Sequence, residues 1–259
     1  MSPANTPSRR AAIAAVLAAA VLSSAVLAYA TPSAGAEGAP LARAASAGPP
    51  TPALAWVAKV LYPTAGRSAP SVTAARRLTV GPVSSWGTPT ELLVLGSRVD
   101  AAGHPWLRVR LDYRPNGYTA WIDEEDTVMY RDPWRIAVSR ERREVQVYDA
   151  DRLVRSFAAV VGKPSTPTPA GLFAIAAELP QPSPGKNFEG AWVLPLTAHS
   201  EVLRSFEGGD GQVALHGRGG ASLVDPLHSA RSHGCVRLAN AAIGWIAGHV
   251  PVGTPVRIL

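Results

Sequence analysis

Short runs of alternating apolar and polar residues, bounded by glycine and proline turns, dominate the chain from residue 54 onward. In the clearest run, Trp106-Leu-Arg-Val-Arg-Leu111, Leu107, Val109 and Leu111 fall on one face and two arginines on the other. Because successive side chains of a β-strand point to opposite faces, this period of two indicates a half-buried strand. Arg114-Pro-Asn-Gly117 then predicts a tight turn, since proline fixes φ and Asn-Gly accepts positive φ.

Similar short strands recur after Asp132-Pro133, which marks a domain boundary. The predicted strands of this second part are 134–139, 144–148, 153–161, 172–179, 192–197, 213–216 and 255–259. One late helix is also predicted, because Ile243, Ile246 and Val250 fall on one helical face and Asn240 can cap its start. The chain is therefore expected to be mainly β, with few helices.

The composition permits an ordinary buried core. Hydrophobic residues make up 47% and charged residues 17% of the 259 residues, which is typical of globular domains. The formal charge of +6 comes from arginines that are scattered through the strand patterns. Since they form no single basic stripe, nucleic acid is not an expected partner, and an anionic envelope polymer fits the charge equally well.

The first 30 residues predict an export signal. A basic start with Arg9 and Arg10 leads into an uncharged run, residues 11–30, that ends in the A-x-A cleavage pattern Ala28-Tyr29-Ala30. The run is also long enough to span a bilayer, so a retained membrane anchor stays open. We therefore expect an exported, extracytoplasmic protein of the cell envelope.

Composition separates this signal from the folded parts. Residues 31–53 are rich in Ala, Gly, Pro and Ser and hold few large apolar side chains, which indicates a flexible linker. The predicted organisation is a signal peptide or anchor at 1–30, a linker at 31–53, a small all-β domain at 54–131 and a second domain at 132–259.

Cys235 is the one cysteine of the chain, so no internal disulfide can form. In an oxidising compartment a thiol is a hazard unless its reactivity is used. Three interpretations are open for it: an inert core residue, a metal ligand together with His216, His228 and His233, or a nucleophile. Its surroundings are too polar for the centre of a core, and the ligand spacing lacks the short pairs typical of zinc sites. We favour the nucleophile and expect no metal or other cofactor.

A nucleophilic thiol needs a nearby base or positive charge. His233 lies two residues before Cys235, and His216 lies at the end of the strand-like run Gln212-Val-Ala-Leu215. Gly234 would let the backbone approach a substrate closely, and the N–H groups of Gly234 and Cys235 could face a developing oxyanion.

These residues carry a family resemblance. His216-Gly217, followed by Ser232-His-Gly-Cys-Val-Arg237, resembles the signature of the L,D-transpeptidases, whose catalytic domain is of the YkuD type. Thr168-Pro-Ala-Gly-Leu-Phe173 resembles a second landmark of that family, and residues 92–121 resemble bacterial SH3-like modules. The expected fold is a small SH3-like β-barrel followed by a YkuD-type β-sandwich with one or two short helices.

The resemblance implies an enzyme that acts on peptidoglycan stem peptides. Cys235 would attack the carbonyl of the third residue and expel the terminal D-alanine, and an acceptor amine would resolve the thioester as a 3–3 crosslink. His216 would be base and proton donor, oriented by the carbonyl of Gly217, and His233 would shape the pocket. Ser232 and Arg237 would support the loop or hold a substrate carboxylate. Carbapenem β-lactams are the expected covalent inhibitors.

Other functions stay open at this point. Water could resolve the same thioester, which would make the protein an L,D-carboxypeptidase or endopeptidase, or the domain could be a non-catalytic wall-binding module. The loop between His216 and Cys235 is longer than in several relatives, which leaves substrate preference open. Gly185-Lys-Asn-Phe188 is either a lid over the site or an ordinary surface loop.

Overall fold

Seven antiparallel strands of the N-terminal part form one sheet in the order β3-β2-β6-β5-β4-β1-β7. The computed structural model describes residues 47–206 and 208–259, so the predicted export signal and most of the predicted linker lie outside the described residues. The strands are β1 Ala55–Val60, β2 Thr64–Arg67, β3 Arg76–Val80, β4 Glu91–Val99, β5 Pro105–Arg110, β6 Thr119–Asp123 and β7 Thr127–Asp132.

The alternation of the β5 sequence determines which face of this sheet is buried. Leu107, Val109 and Leu111 lie in the core, together with Ile122 from β6, as the period of two predicted. On the other face Arg108 is exposed but Arg110 is buried, so the expectation of a half-buried strand holds only in part. The likeness of the sheet to SH3-like modules stays a prediction.

The second part of the chain forms a mixed, curled ten-stranded sheet. Its strands are β8 Trp134–Ser139, β9 Glu144–Asp149, β10 Arg152–Gly162, β11 Gly171–Ala174, β12 Leu179–Pro180, β13 Trp192–His199, β14 Gln212–His216, β15 Ser229–Ser232, β16 Val236–Leu238 and β17 Pro255–Ile258. Three neighbouring pairs are parallel, namely β8 with β17, β10 with β15 and β14 with β16. The mainly β fold expected from the sequence is confirmed.

The predicted strand 172–179 is wrong as a single element. Its first half, β11, pairs with β17, but Ile175 bridges to Leu196 of β13 and the chain then forms the separate short strand β12. Because both halves are apolar, the sequence pattern contains no sign of this change of partner.

The one α-helix in the described part of the chain, α1, spans Asn240–Ala247. Ile243 and Ile246 are fully buried, as predicted, and Val250 packs in the same core just beyond the helix end. The predicted cap is wrong, because Ala239 occupies the N-cap position and no side chain caps the helix. Among residues 47–206 and 208–259, no helix combines the length and apolar character needed to cross a bilayer.

The two sheets pack directly against each other. Ala55 and Leu93 of the first sheet share a small buried cluster with Ala174 of the second. Asp132, the last residue of β7, accepts a hydrogen bond of 2.7 Å from the hydroxyl of Thr254. The first sheet therefore contributes to the same folded body as the second.

Candidate active site

A pocket of about 310 Å³ opens over the part of the second sheet where β13, β14 and β16 lie side by side. Cys235, His216, His233 and Arg237 all line it. Four residues that the sequence singled out for catalysis or substrate binding are therefore brought to one cavity.

Strand register places His216 beside Arg237. β14 and β16 are parallel neighbours in which His216 lies opposite Arg237 and Leu215 opposite Val236. Since side chains alternate along a strand, His216 and Arg237 share one face, and the alternate residues Leu215 and Val236 are fully buried in the core. Cys235 lies in the loop directly before β16 and lines the same pocket as His216.

The ring of His216 is held by its own strand end. Its Nδ1 lies 2.8 Å from the carbonyl oxygen of Gly217, which can only accept a hydrogen bond. The Nδ1 atom therefore carries the hydrogen of the neutral ring, and the lone pair is on Nε2. The predicted orienting role of Gly217 has its geometric counterpart in this contact.

Burial keeps this ring neutral. His216 is only 4% exposed. Desolvation, and then the positive charge of Arg237, lower the pKa of His216 to about 4, although hydrogen bonds to the backbone of Gly217 and Glu189 oppose the change. At neutral pH the imidazole can therefore accept a proton, as a general base must.

The loop that carries the partly buried Cys235 is fixed by two hydroxyl groups. Ser232 donates to the carbonyl of Cys235 at 2.6 Å and accepts from the N–H of Gly234 at 3.1 Å. Thr168 donates to the carbonyl of Gly234 at 2.8 Å and accepts from the N–H of Gly162 at 2.9 Å. Thr168, the first residue of the Thr168–Phe173 motif, therefore holds the cysteine loop against Gly162 at the end of β10.

These contacts bear on two expected roles. The N–H of Gly234 is engaged by Ser232, and the oxyanion roles of the Gly234 and Cys235 N–H groups stay predictions. Gly234 also provides a backbone φ of +128°, a region that favours glycine. Ser232 is fully buried, and its contacts are those expected of a residue that supports the loop.

Arg237 contacts two residues of the site. Its guanidinium donates to the carboxylate of Asp225 at 2.7 Å and lies 4.7 Å from the centre of the Phe188 ring. The contact with Asp225 suits loop support, while the buried Nε has no hydrogen-bond partner, so binding of a substrate carboxylate stays a prediction beside it. The ring of Phe188 lies 6.4 Å from that of His216. The 185–188 stretch therefore places an aromatic wall beside the imidazole.

Comparison with known proteins identifies the family. A model of the L,D-transpeptidase catalytic domain, YkuD, matches residues 133–258. The Bacillus licheniformis YkuD protein, an assigned L,D-transpeptidase, is 35% identical over 137 residues, which cover 53% of this chain and 70% of that protein. The chain belongs to the L,D-transpeptidase family.

Solved structures of transpeptidases are also similar. A cysteine-to-serine variant of the Enterococcus faecium L,D-transpeptidase is 24% identical with a TM-score of 0.35, and the match covers 49% of this chain and 50% of that one. LdtMt1 in complex with imipenem is 20% identical with a TM-score of 0.39, covering 60% of this chain and 68% of that one. The chain thus spans about half the length of the Enterococcus structure.

Asn240 is a supporting residue of the transpeptidase site that the sequence analysis assigned to a different role. Its Oδ1 accepts hydrogen bonds from the N–H groups of Ala191 and Arg218, both at 3.0 Å, and its Nδ2 donates to the carbonyl of Arg218 at 2.9 Å. A Cβ atom on Gly217 or Gly190 would collide with this amide. Asn240 therefore fixes the backbone at Arg218 and at Ala191, next to Gly217, whose carbonyl orients His216.

His233 lies at the rim of the transpeptidase pocket. Its exposed ring stacks on Phe206 with ring centres 5.1 Å apart, and its Nε2 lies 3.2 Å from the ammonium of Lys163. This placement agrees with the pocket-shaping role that the sequence analysis gave it.

The structure also bears on the alternative interpretation of Cys235 as a metal ligand. Within the described residues, the potential ligands gathered closely enough to share an ion are His104, Asp123 and Glu125 of the first sheet. His216, His228, His233 and Cys235 do not form such a group there. His228 lies outside the pocket lining, where its N–H donates to the carbonyl of Ala159.

Proposed function

We propose that the protein is an exported L,D-transpeptidase that forms 3–3 crosslinks between peptidoglycan stem peptides through a thioester on Cys235. The observation that carries this proposal is that a neutral, backbone-oriented His216 at the end of β14 and Cys235, directly before the neighbouring β16, line one pocket. Family membership supports the same reaction class.

The acylation step needs one proton acceptor and one nucleophile. Nε2 of His216 takes the proton of the Cys235 thiol as the sulfur attacks the carbonyl carbon of the third stem residue. The C–N bond to the terminal D-alanine then breaks, and the imidazolium returns the proton to the leaving amine. The products are a thioester and free D-alanine.

In the second step the acyl group passes from Cys235 to an acceptor amine. The amine of a neighbouring stem attacks the thioester carbonyl, His216 accepts the amine proton, and the sulfur leaves as the C–S bond breaks. That proton then returns to the thiolate of Cys235. Exchanging one peptide bond for another in this way requires no nucleotide, which suits a compartment outside the cytoplasm. The wall formed by Phe188 would limit the access of water that competes with the amine.

Intact-protein mass spectrometry with a disaccharide tetrapeptide tests the proposal. We expect a thioester adduct on Cys235, loss of D-alanine from the substrate and, with an acceptor stem present, a crosslinked dimer. Cys235→Ala should abolish all three, and His216→Ala should abolish turnover. Unchanged crosslinking by either variant would contradict the assigned roles.

The same measurement separates the rival functions. Free tripeptide as the sole product, with an acceptor amine present, would make the protein a carboxypeptidase or endopeptidase. Absence of any adduct, with a carbapenem also failing to acylate Cys235, would favour a non-catalytic wall-binding protein. Export and membrane anchoring through residues 1–30 are part of the proposal and are tested by fractionating cells and sequencing the mature N-terminus.

A further inference from the structure

Part of the wall of the catalytic pocket comes from the N-terminal sheet. Trp86, which follows β3 in that sheet, lines the same pocket as Cys235 and exposes 41% of its surface. The lining also includes residues of the connection between β13 and β14, whose described residues, 199–206 and 208–212, are here called the 199–212 segment. A turn of the N-terminal sheet, residues 112–116, is hydrogen-bonded to this segment.

Arg114 makes the densest set of these contacts. Its guanidinium donates to three backbone carbonyls of the segment, those of Ser200 at 2.8 Å, Leu203 at 3.0 Å and Asp210 at 2.6 Å. Because these carbonyls belong to both ends of the segment, one side chain holds the N-terminal and C-terminal parts of the segment together. A planar guanidinium with five donors suits this task, whereas an ammonium offers a compact point charge.

Asn116 and Asp112 extend the contact. The amide of Asn116 forms a reciprocal pair with the backbone of His199, since its Nδ2 donates to the His199 carbonyl and its Oδ1 accepts from the His199 N–H, both at 2.8 Å. Asp112 accepts from the side-chain amide of Gln212 at 2.6 Å. The turn therefore engages the segment at its first residue, its last residue and three positions between.

The segment in turn shapes the space around the nucleophile. Ser200, Leu203 and Phe206 line the pocket, and Phe206 stacks on His233. Gly211 has a φ of +79°, and a Cβ atom there would collide with the carbonyl of Leu203, so the segment is closely packed against itself. Loss of the turn would leave the backbone groups that it binds without those partners.

We propose that the 112–116 turn, with Arg114 as its main positioning residue, holds the 199–212 segment in the conformation that binds the stem peptide, and that Trp86 contributes a contact surface for the same peptide. The N-terminal sheet is then a part of the substrate site and not a spacer. This inference rests on the proposed function for its substrate, but its structural half, the dependence of the segment on Arg114, does not.

The expected effect is on binding rather than on the reacting atoms. His216 is positioned by β14 and the Cys235 loop by Ser232 and Thr168, whereas Arg114 donates its hydrogen bonds to carbonyls of the 199–212 segment. Replacing Arg114 should therefore raise the KM for the disaccharide tetrapeptide while kcat and the intrinsic reactivity of the thiol change little.

The test uses the full chain with Arg114→Gln, and with Arg108→Gln as the matched control, since Arg108 is an exposed arginine of β5 in the same sheet. For Arg114→Gln we expect a KM at least tenfold higher, a kcat within threefold of the wild type and an unchanged rate of Cys235 alkylation by iodoacetamide. Backbone amides of the 199–212 segment should exchange hydrogen at least tenfold faster. Arg108→Gln should match the wild type throughout.

Each outcome has a defined meaning. Wild-type KM and wild-type exchange in Arg114→Gln would overturn the inference. A wild-type protein that turns over no stem peptide would overturn the proposed function, whereas faster exchange in Arg114→Gln would still support the structural half.

Should Arg114→Gln fail to fold, Trp86→Ala, at an exposed position, decides the substrate half. We expect it to raise KM at least fivefold without changing exchange in the segment, and an unchanged KM would refute it.

Discussion

The hydroxyl of Thr168 lies 2.8 Å from the carbonyl oxygen of Gly234, 66 residues further along the chain. The hydroxyl oxygen of Thr168 also accepts a hydrogen bond from the N–H of Gly162, where a Cβ atom would collide with the backbone of residues 166–168. One buried side chain therefore closes the gap between the strand end at Gly162 and the cysteine loop.

Thr168→Val keeps the shape of this side chain and removes both hydrogen bonds. We expect a loss of about 2–3 kcal/mol in the free energy of unfolding, because a buried N–H and a buried carbonyl lose their partner. Acylation of Cys235 should also slow, since the loop beneath it loosens. Urea unfolding and mass spectrometry of the acyl-enzyme measure the two effects, with Thr73→Val, at an exposed threonine, as the control. A variant as stable and as reactive as the wild type would remove Thr168 from this role.

The lowered pKa of His216 predicts the pH dependence of acylation. Because burial holds this pKa at about 4, the ring stays neutral and able to accept a proton as the pH falls from 7 to 5. The contribution of His216 to the acid limb of the acylation rate should therefore lie near pH 4 rather than near its ordinary value of 6.5. Acylation by a carbapenem, followed from pH 4 to 8 with circular dichroism as a check on folding, measures it. An acid limb centred near 6.5 would show that the imidazole is more solvated than the structure indicates.

Substitutions of Asn240 test whether its side chain stabilises the protein as a cap of α1 or as a bridge between the backbones of Ala191 and Arg218. A serine is as good a cap as asparagine, but its shorter side chain carries one polar atom in place of the two, Oδ1 and Nδ2, with which Asn240 contacts Ala191 and Arg218. We therefore expect Asn240→Ser and Asn240→Ala to lose similar stability, about 2–3 kcal/mol each. Both should also lower kcat, because the backbone around Gly217 orients His216. Chemical denaturation and steady-state kinetics test this, and full rescue by serine would restore the capping role.

Glu178 predicts a second pH effect, on stability. Burial, and then the charge of Glu91, raise the pKa of Glu178 from 4.5 to about 7. Between these values the folded protein holds a proton that the unfolded chain releases, so this group destabilises the fold as the pH rises through that window. Glu178→Gln should thus be more stable than the wild type at pH 8, by about 2 kcal/mol at most, and differ little at pH 5. Urea unfolding at both pH values measures the difference, and Glu201→Gln, at an exposed glutamate, should show no such dependence.

The features that the sequence predicted best are those that depend on residues close together in the chain. The alternation around Leu107 and Val109 identifies the buried face of β5, and Ile243 and Ile246 identify that of α1, because both patterns are local and periodic. His216 and Cys235 were identifiable because each lies in a short motif of residue types that suit the proposed chemistry.

The contacts that sequence reasoning missed join distant segments. The turn at Arg114 was predicted, but its docking onto Ser200, 86 residues away, depends on how two sheets meet and leaves no periodic signal. The pairing of Arg237 with Asp225 has the same character. A local contact was missed as well, since the hydroxyl of Ser232 accepts from the N–H of Gly234, two residues later, which was expected to face the substrate.

The parallel pairing of β14 with β16 has a consequence for how such a site can diversify. The backbone ladder fixes the strand that carries the imidazole beside the strand that follows the sulfur, and the chain between the two strands is a crossover that leaves and rejoins the sheet. Insertions or deletions in that crossover can therefore remodel the entrance while the two strands keep their register.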